Sequence, residues 1–87
     1  MIVIYSKEAR KNLRSLDPSV SNRVVKKVKE LTDHNDPLYF AKPLTGTFSG
    51  LHRFRIGDYR VVFSVDETGL VTILTILDIA HRKDIYR

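Results

Sequence analysis

Leu51-His52-Arg53-Phe54-Arg55-Ile56-Gly57-Asp58-Tyr59-Arg60-Val61-Val62-Phe63 alternates apolar and basic side chains on both sides of a Gly-Asp pair. Two strand-like runs joined by two such residues specify a tight β-hairpin. A two-residue loop pairs Ile56 with Tyr59, Arg55 with Arg60 and Phe54 with Val61. Arg53 lies two residues before Arg55 and shares its face of the sheet. Three guanidinium groups then crowd one patch. Like charges on neighbouring strands are unfavourable: at roughly 5 Å they repel by about 3 kcal/mol for an effective dielectric near 20, and by under about 1 kcal/mol in bulk water. Such a patch implies an anion among the arginines, and the anion expected is a phosphate.

Upstream of the hairpin, Ile2 to Tyr5 reads as a short strand. Ser6 is placed as an N-cap, with Glu8 favouring the helix N-terminus. Ala9, Leu13 and Leu16 recur at helical spacing, and Asp17-Pro18 ends this helix and starts another. In the second helix Val20, Val24, Val28 and Leu31 form one apolar stripe, and Arg23, Lys26, Lys27 and Lys29 fill much of the rest. His34-Asn35-Asp36-Pro37 is a turn cluster. Leu38 to Gly50 is irregular, with Lys42-Pro43-Leu44 extended and Tyr39 and Phe40 expected to pack against the sheet.

Downstream, Asp66-Glu67-Thr68-Gly69 reads as a turn. Leu70 to Ile79 is almost continuously apolar, the pattern of a strand buried on both faces. The expected architecture is α+β: an antiparallel sheet of about four strands with an N-terminal αα-hairpin packed on one face. The other face carries the arginine patch and, beside it, the C-terminal tail. If the last strand pairs through the Asp66–Gly69 turn, Thr75 falls near Arg60 and His81 continues the same parity. A slip of one residue reverses this.

The 87 residues make one domain spanning 1–87. A chain that is 43% hydrophobic and 29% charged suits a globular fold with a modest core. Without cysteine there are no disulfides and no thiolate metal site. Met1–Tyr5 is too short for a signal peptide and no apolar run approaches a membrane span, so the expected location is cytoplasmic, with no membrane partner. A formal charge of +5 favours a polyanionic partner, nucleic acid or an acidic protein segment.

The order of elements, with Arg53-Phe54-Arg55-Ile56-Gly57-Asp58-Tyr59-Arg60 and His81-Arg82-Lys83-Asp84-Ile85-Tyr86, resembles the RelE/ParE superfamily of toxins from type II toxin–antitoxin systems. The chain looks most like the RelE branch, over nearly its whole length. That resemblance implies ribosome-dependent cleavage of A-site mRNA, in which the 2′-hydroxyl attacks the adjacent phosphate to leave a 2′,3′-cyclic phosphate and a 5′-hydroxyl. Such chemistry needs a base, cations and an acid. It needs no metal or other cofactor, which fits three scattered histidines and carboxylates without ligand spacing.

By position, the resemblance gives Arg60 the scissile phosphate and Tyr86 the role of base. Arg82 or His81 matches the basic position that serves as general acid or phosphate ligand. Arg53 and Arg55 stand where relatives often carry lysine. Arginine stays charged, so these two are expected to bind RNA and stabilise the transition state rather than move protons; Lys83 joins them as an RNA-binding residue. A phenol titrates near pH 10, so Tyr86 needs neighbouring cations to act as a base. Tyr59 and His52, on the inward parity, read as structural, and His34 as a turn residue. The implied partners are a cognate antitoxin, the ribosome with its mRNA, and operator DNA only as the toxin–antitoxin complex. The rival functions are a ParE-like toxin that poisons DNA gyrase and a degenerate relative that only binds antitoxin.

Overall fold

The computed structural model describes residues 1–34 and 36–85. The chain runs through β1 (Ile2–Tyr5), α1 (Lys7–Ser15), α2 (Pro18–Thr32), β2 (Lys42–Pro43), β3 (His52–Ile56), β4 (Tyr59–Thr68), β5 (Val71–His81) and α3 (Arg82–Ile85). Short 3-10 turns occupy Pro37–Phe40 and Gly46–Phe48. The strands form one sheet in the order β1-β5-β4-β3-β2.

Both long helices start where capping chemistry places them. The Ser6 hydroxyl accepts from the Ala9 N–H at 3.1 Å. An Asp17 carboxylate oxygen accepts from the Ser19 N–H at 3.0 Å, with Pro18 in the first turn, where its missing N–H costs nothing. The Ser19 hydroxyl and amide together hold the Asp17 carboxyl below its usual range. Val24, Val28 and Leu31 of α2 and Ala9 of α1 pack on Phe54, Ile56, Val61, Phe63, Leu74, Ile76 and Ile79 of the sheet. The two helices thus cover one face, as the α+β reading requires.

The sheet has five strands rather than about four, and β1 runs parallel to β5. The helical hairpin carries the chain from one edge of the sheet to the other. Three antiparallel steps from β2 to β5 then bring the last strand back beside the first. The added strand, β2, is two residues long and includes Pro43, which a sheet accepts at its edge.

The β3–β4 register pairs Ile56 with Tyr59, Arg55 with Arg60 and Phe54 with Val61, as the alternation predicts. Gly57 has φ +57°, and among the described residues no non-glycine has positive φ. This is the type II′ pattern, in which glycine leads a two-residue loop.

The β4–β5 pairing differs from expectation. Its loop is Gly69-Leu70, closed by Thr68 opposite Val71, so β4 runs three residues into the predicted turn. Between Phe63↔Ile76 and Val62↔Asp78 the register shifts, leaving Leu77 as a β-bulge. Thr75 therefore lies opposite Ser64, Ala80 lies opposite Arg60, and His81 lies opposite Tyr59. Thr75 is not beside Arg60, and His81 has left the arginine face. Nor is β5 buried on both sides: Leu74, Ile76 and Ile79 are buried, whereas Ile73, Thr75 and Asp78 are only half-buried, because the helices cover one face.

The bulge is anchored by the opposite end of the chain. The Ser6 N–H donates to the Ile76 carbonyl at 2.9 Å, and its hydroxyl donates to the Leu77 carbonyl at 3.3 Å. The Ile79 N–H donates to the Asn12 side-chain oxygen at 3.0 Å. The Leu77 carbonyl and the Ile79 N–H are thus satisfied by side chains of α1 and its cap.

Tyr39 and Phe40 do not pack against the sheet. Their 3-10 turn sits beyond the end of α2, where Phe40 meets the edges of His34 and Tyr39 at 5.0 and 5.1 Å, and Tyr39 stays exposed. His52 stacks on Phe63 at 5.7 Å, the structural role its parity predicts.

Replacing Asn12 by Ala strands the Ile79 N–H beneath the helix. Urea denaturation should show a loss of about 1–2 kcal/mol, and Asn12→Asp, which keeps an acceptor, should lose less.

Candidate nucleic-acid interface

The sheet face away from the two long helices is built in rows across the strands. Directly opposed residues share a face, so Lys42, Arg53, Val62 and Asp78 form one row and Arg55, Arg60 and Ala80 the next. Val62 is only 4% exposed yet stands outside the core cluster. It is an apolar floor between Arg53 and Asp78. Ala80, the smallest side chain in its row, faces Arg60 across the strands.

Arg53, Arg55, Arg60 and Arg82 line one cavity of about 140 Å³, together with Gly57, Asp58 and Tyr59. Arg82 arrives there because the tail is tied to the β3–β4 loop: its backbone N–H donates to the Asp58 carbonyl at 2.8 Å, and its guanidinium lies 4.0 Å from the Asp58 carboxylate. That ion pair is exposed on both sides and contributes little by itself. The backbone bond sets the position.

His81 sits differently. Its ring meets Tyr59 edge-on at 5.1 Å, and Nδ1 accepts the Lys83 N–H at 3.1 Å. This is N-cap geometry for α3, and it leaves the proton of the neutral imidazole on Nε2. Neither His81 nor Lys83 lines the cavity. Tyr86 lies outside the described residues.

Among the described residues, Asp58 is the one carboxylate in the lining beside four guanidinium groups. The Nε of Arg60 is buried without a hydrogen-bond partner among the described residues. A cavity so unbalanced favours an anion with several acceptor oxygens, because guanidinium forks match phosphate geometry. The nearest counter-charge on the strands is Asp78. Burial pushes its carboxyl above the usual range, the Arg60 charge pulls it back in part, and Glu8 adds to the rise. Composition and parity arguments passed over Asp78, although it is the single charged residue in the apolar run Leu70–Ala80. Among the described residues no three His, Asp or Glu side chains gather as a metal site, and no helix is long and apolar enough to cross a membrane.

Residues 3–86 match the family described as the ParE toxin of type II toxin–antitoxin systems. Toxin RelG of Mycobacterium tuberculosis is 34% identical over 86 residues, which cover 98% of this chain and 94% of RelG. In the toxin–antitoxin complex RelBE2 of the same organism, a chain 29% identical superposes with a TM-score of 0.80, covering 93% of this chain and 90% of that one. YafQ from E. coli shares the fold at 12% identity, with a TM-score of 0.70 over 98% and 97% of the two chains. The chain belongs to the RelE/ParE superfamily of type II toxin–antitoxin toxins.

Asp78 makes the stability of this toxin pH-dependent in a defined direction. Its folded-state value lies above the unfolded one, so the contribution it makes is fully present below the ordinary carboxylate range and is lost as pH rises through the raised value. Asp78→Asn should therefore melt higher than the parent at about pH 7, and the gap should close at about pH 3, below the ordinary aspartate value.

Proposed function

We propose that this toxin is a ribosome-dependent, metal-independent mRNA endonuclease held in check by a cognate antitoxin. The observation that carries the proposal is the convergence of Arg53, Arg55, Arg60 and Arg82 on one cavity. Its fixed positive charge is suited to a phosphorane-like transition state, whose negative charge grows as the bonds rearrange.

In this mechanism the 2′-oxygen loses its proton to the Tyr86 phenolate and attacks phosphorus, and the bond from phosphorus to the 5′-oxygen breaks. The products are a 2′,3′-cyclic phosphate and a 5′-hydroxyl. Arg60 holds the scissile phosphate, and Arg53 and Arg55 stabilise the non-bridging oxygens. The role of Tyr86 rests on the family resemblance, and the surrounding guanidinium charges are what lower a phenol toward neutrality. Of the two residues considered for the leaving group, Arg82 is the one in the lining. It stabilises the leaving oxygen, which takes its proton from water, and His81 positions Arg82 by capping α3. Lys83 supplies a phosphate contact outside the cavity. The antitoxin covers the basic face, and the toxin reaches operator DNA only as part of the complex. RelBE2, the relative noted above, is such a toxin–antitoxin complex.

Primer extension on a translated message after induction should show cuts within codons. Arg60→Ala and Tyr86→Phe should each lose about a hundredfold or more of the cleavage rate. Intact mRNA with gyrase-linked DNA damage would instead establish a ParE-like gyrase poison.

The assignment of His81 has its own test. His81→Ala should fray α3 and slow cleavage, whereas His81→Asn retains a capping acceptor and should restore most of the rate. Equal loss in both variants would mean that the imidazole moves a proton.

A further inference from the structure

A second basic concavity, of about 490 Å³, opens on the other side of the β3–β4 loop. It is lined by Arg23 and Lys27 of α2, Arg55 and Ile56 of β3, and Gly57 and Asp58. Arg55, Gly57 and Asp58 line both concavities, so the two adjoin and Arg55 stands on their border. Gly57 presents no side chain there, and the space a Cβ would occupy is open for 4 Å around. Nothing on that residue walls one concavity from the other.

The charges of the second concavity are as poorly balanced as those of the first. Arg23 and Lys27 are four residues apart on one helix face, a like-charged spacing that weakens a helix slightly. Lys27 reaches Glu30 at 3.5 Å, but both side chains are half-exposed and such pairs contribute little. Arg23 has no ion pair among the described residues. One phosphate would satisfy the 140 Å³ sheet cavity and leave these cations unused. A chain of phosphates would use both.

We infer that the concavity between α2 and the β3–β4 loop is a phosphodiester subsite for the RNA strand that flanks the scissile phosphate. The strand lies in the sheet cavity, crosses the loop over Gly57, and places a neighbouring phosphate between Arg23 and Lys27. This rests on the RNA reading of the sheet cavity. Contacts of this type add affinity and fix the path of the strand without selecting its sequence.

The test measures binding of 2′-O-methylated RNA, which lacks the attacking hydroxyl, as a dinucleotide and as a hexanucleotide over a range of salt. The Arg23→Ala/Lys27→Ala variant should bind the hexanucleotide about tenfold more weakly. Its salt slope should fall by about 0.7, the value for one phosphate on a single strand. Dinucleotide binding should not change. Lys11→Ala/Lys26→Ala removes the same charge from exposed helix positions outside both linings and should leave both oligonucleotides unaffected. Unchanged hexanucleotide affinity and slope in the first variant, with Arg60→Ala still weakening both oligonucleotides, would overturn the subsite and leave the sheet cavity standing. Equal weakening of both oligonucleotides by the first variant would also overturn it, since the helix cations would then act on the first cavity. Wild-type binding by Arg60→Ala would overturn the sheet cavity's reading, and the subsite with it.

Discussion

Without the extra residue at Leu77, β5 could not serve both faces of the sheet. Continuing the pairing that joins Phe63 to Ile76 would set Ile79 opposite Arg60 and Asp78 opposite Val61, in the core. Burying that carboxylate beneath the helices would cost several kcal/mol, and Ile79 would leave the core and crowd the arginine. The bulge exchanges the two. Ile79 packs inward, Asp78 joins the basic face, and Ala80 is the small residue opposite Arg60. From there the strand runs on to Arg82, whose N–H meets the Asp58 carbonyl at the loop. The Ser6 and Asn12 side chains that hold the bulge lie 71 and 67 residues from their partners in sequence. The cavity therefore takes shape only once the two ends of the chain have met.

What the sequence made legible follows the same division. The β3–β4 hairpin could be read to the residue because strict alternation surrounds a loop that begins with glycine, and register there follows from parity alone. Ser6 and Asp17-Pro18 marked the helix starts through local hydrogen-bond chemistry. The bulge could not be read. Val71–Ile79 is apolar on both parities, so it contains no alternation for an extra residue to interrupt. For that reason Arg53, Arg55 and Arg60 could be assigned to one face from sequence, and His81 and Arg82 could not be told apart. Asp78 was legible in principle, as the lone charge in an apolar run. Arg23 and Lys27 were not, since their approach to Arg55 depends on how α2 crosses the sheet. The exposed site of Tyr39 and Phe40 is likewise set by where their turn packs rather than by their hydrophobicity.

Electrostatics then divides the labour at the site. Four guanidinium groups around one cavity stay charged at any pH at which the protein is folded. Their field is constant, it favours a dianionic transition state over a monoanionic phosphodiester, and it cannot deliver or accept a proton. Part of the repulsion is offset by Asp78 and Asp58. A bound anion would relieve it further, which makes an anionic ligand a stabiliser of the fold as well as an occupant of the site.

In the proposed mechanism proton transfer must come from outside the arginine cluster, and among the described residues α3 is joined to the β3–β4 loop through Asp58. Among the described residues, one backbone bond and one exposed ion pair make that junction, and His81 caps the start of α3. Hence Arg53, Arg55 and Arg60 are fixed by the sheet and its core, whereas Arg82 sits on a four-residue helix. A protein that covers this face has two separate ways to silence the toxin. It can occupy the arginines with its own carboxylates, or it can displace the short helix from Asp58 and leave the arginines exposed. On the proposed mechanism, the second leaves a toxin that still binds RNA but does not cut it.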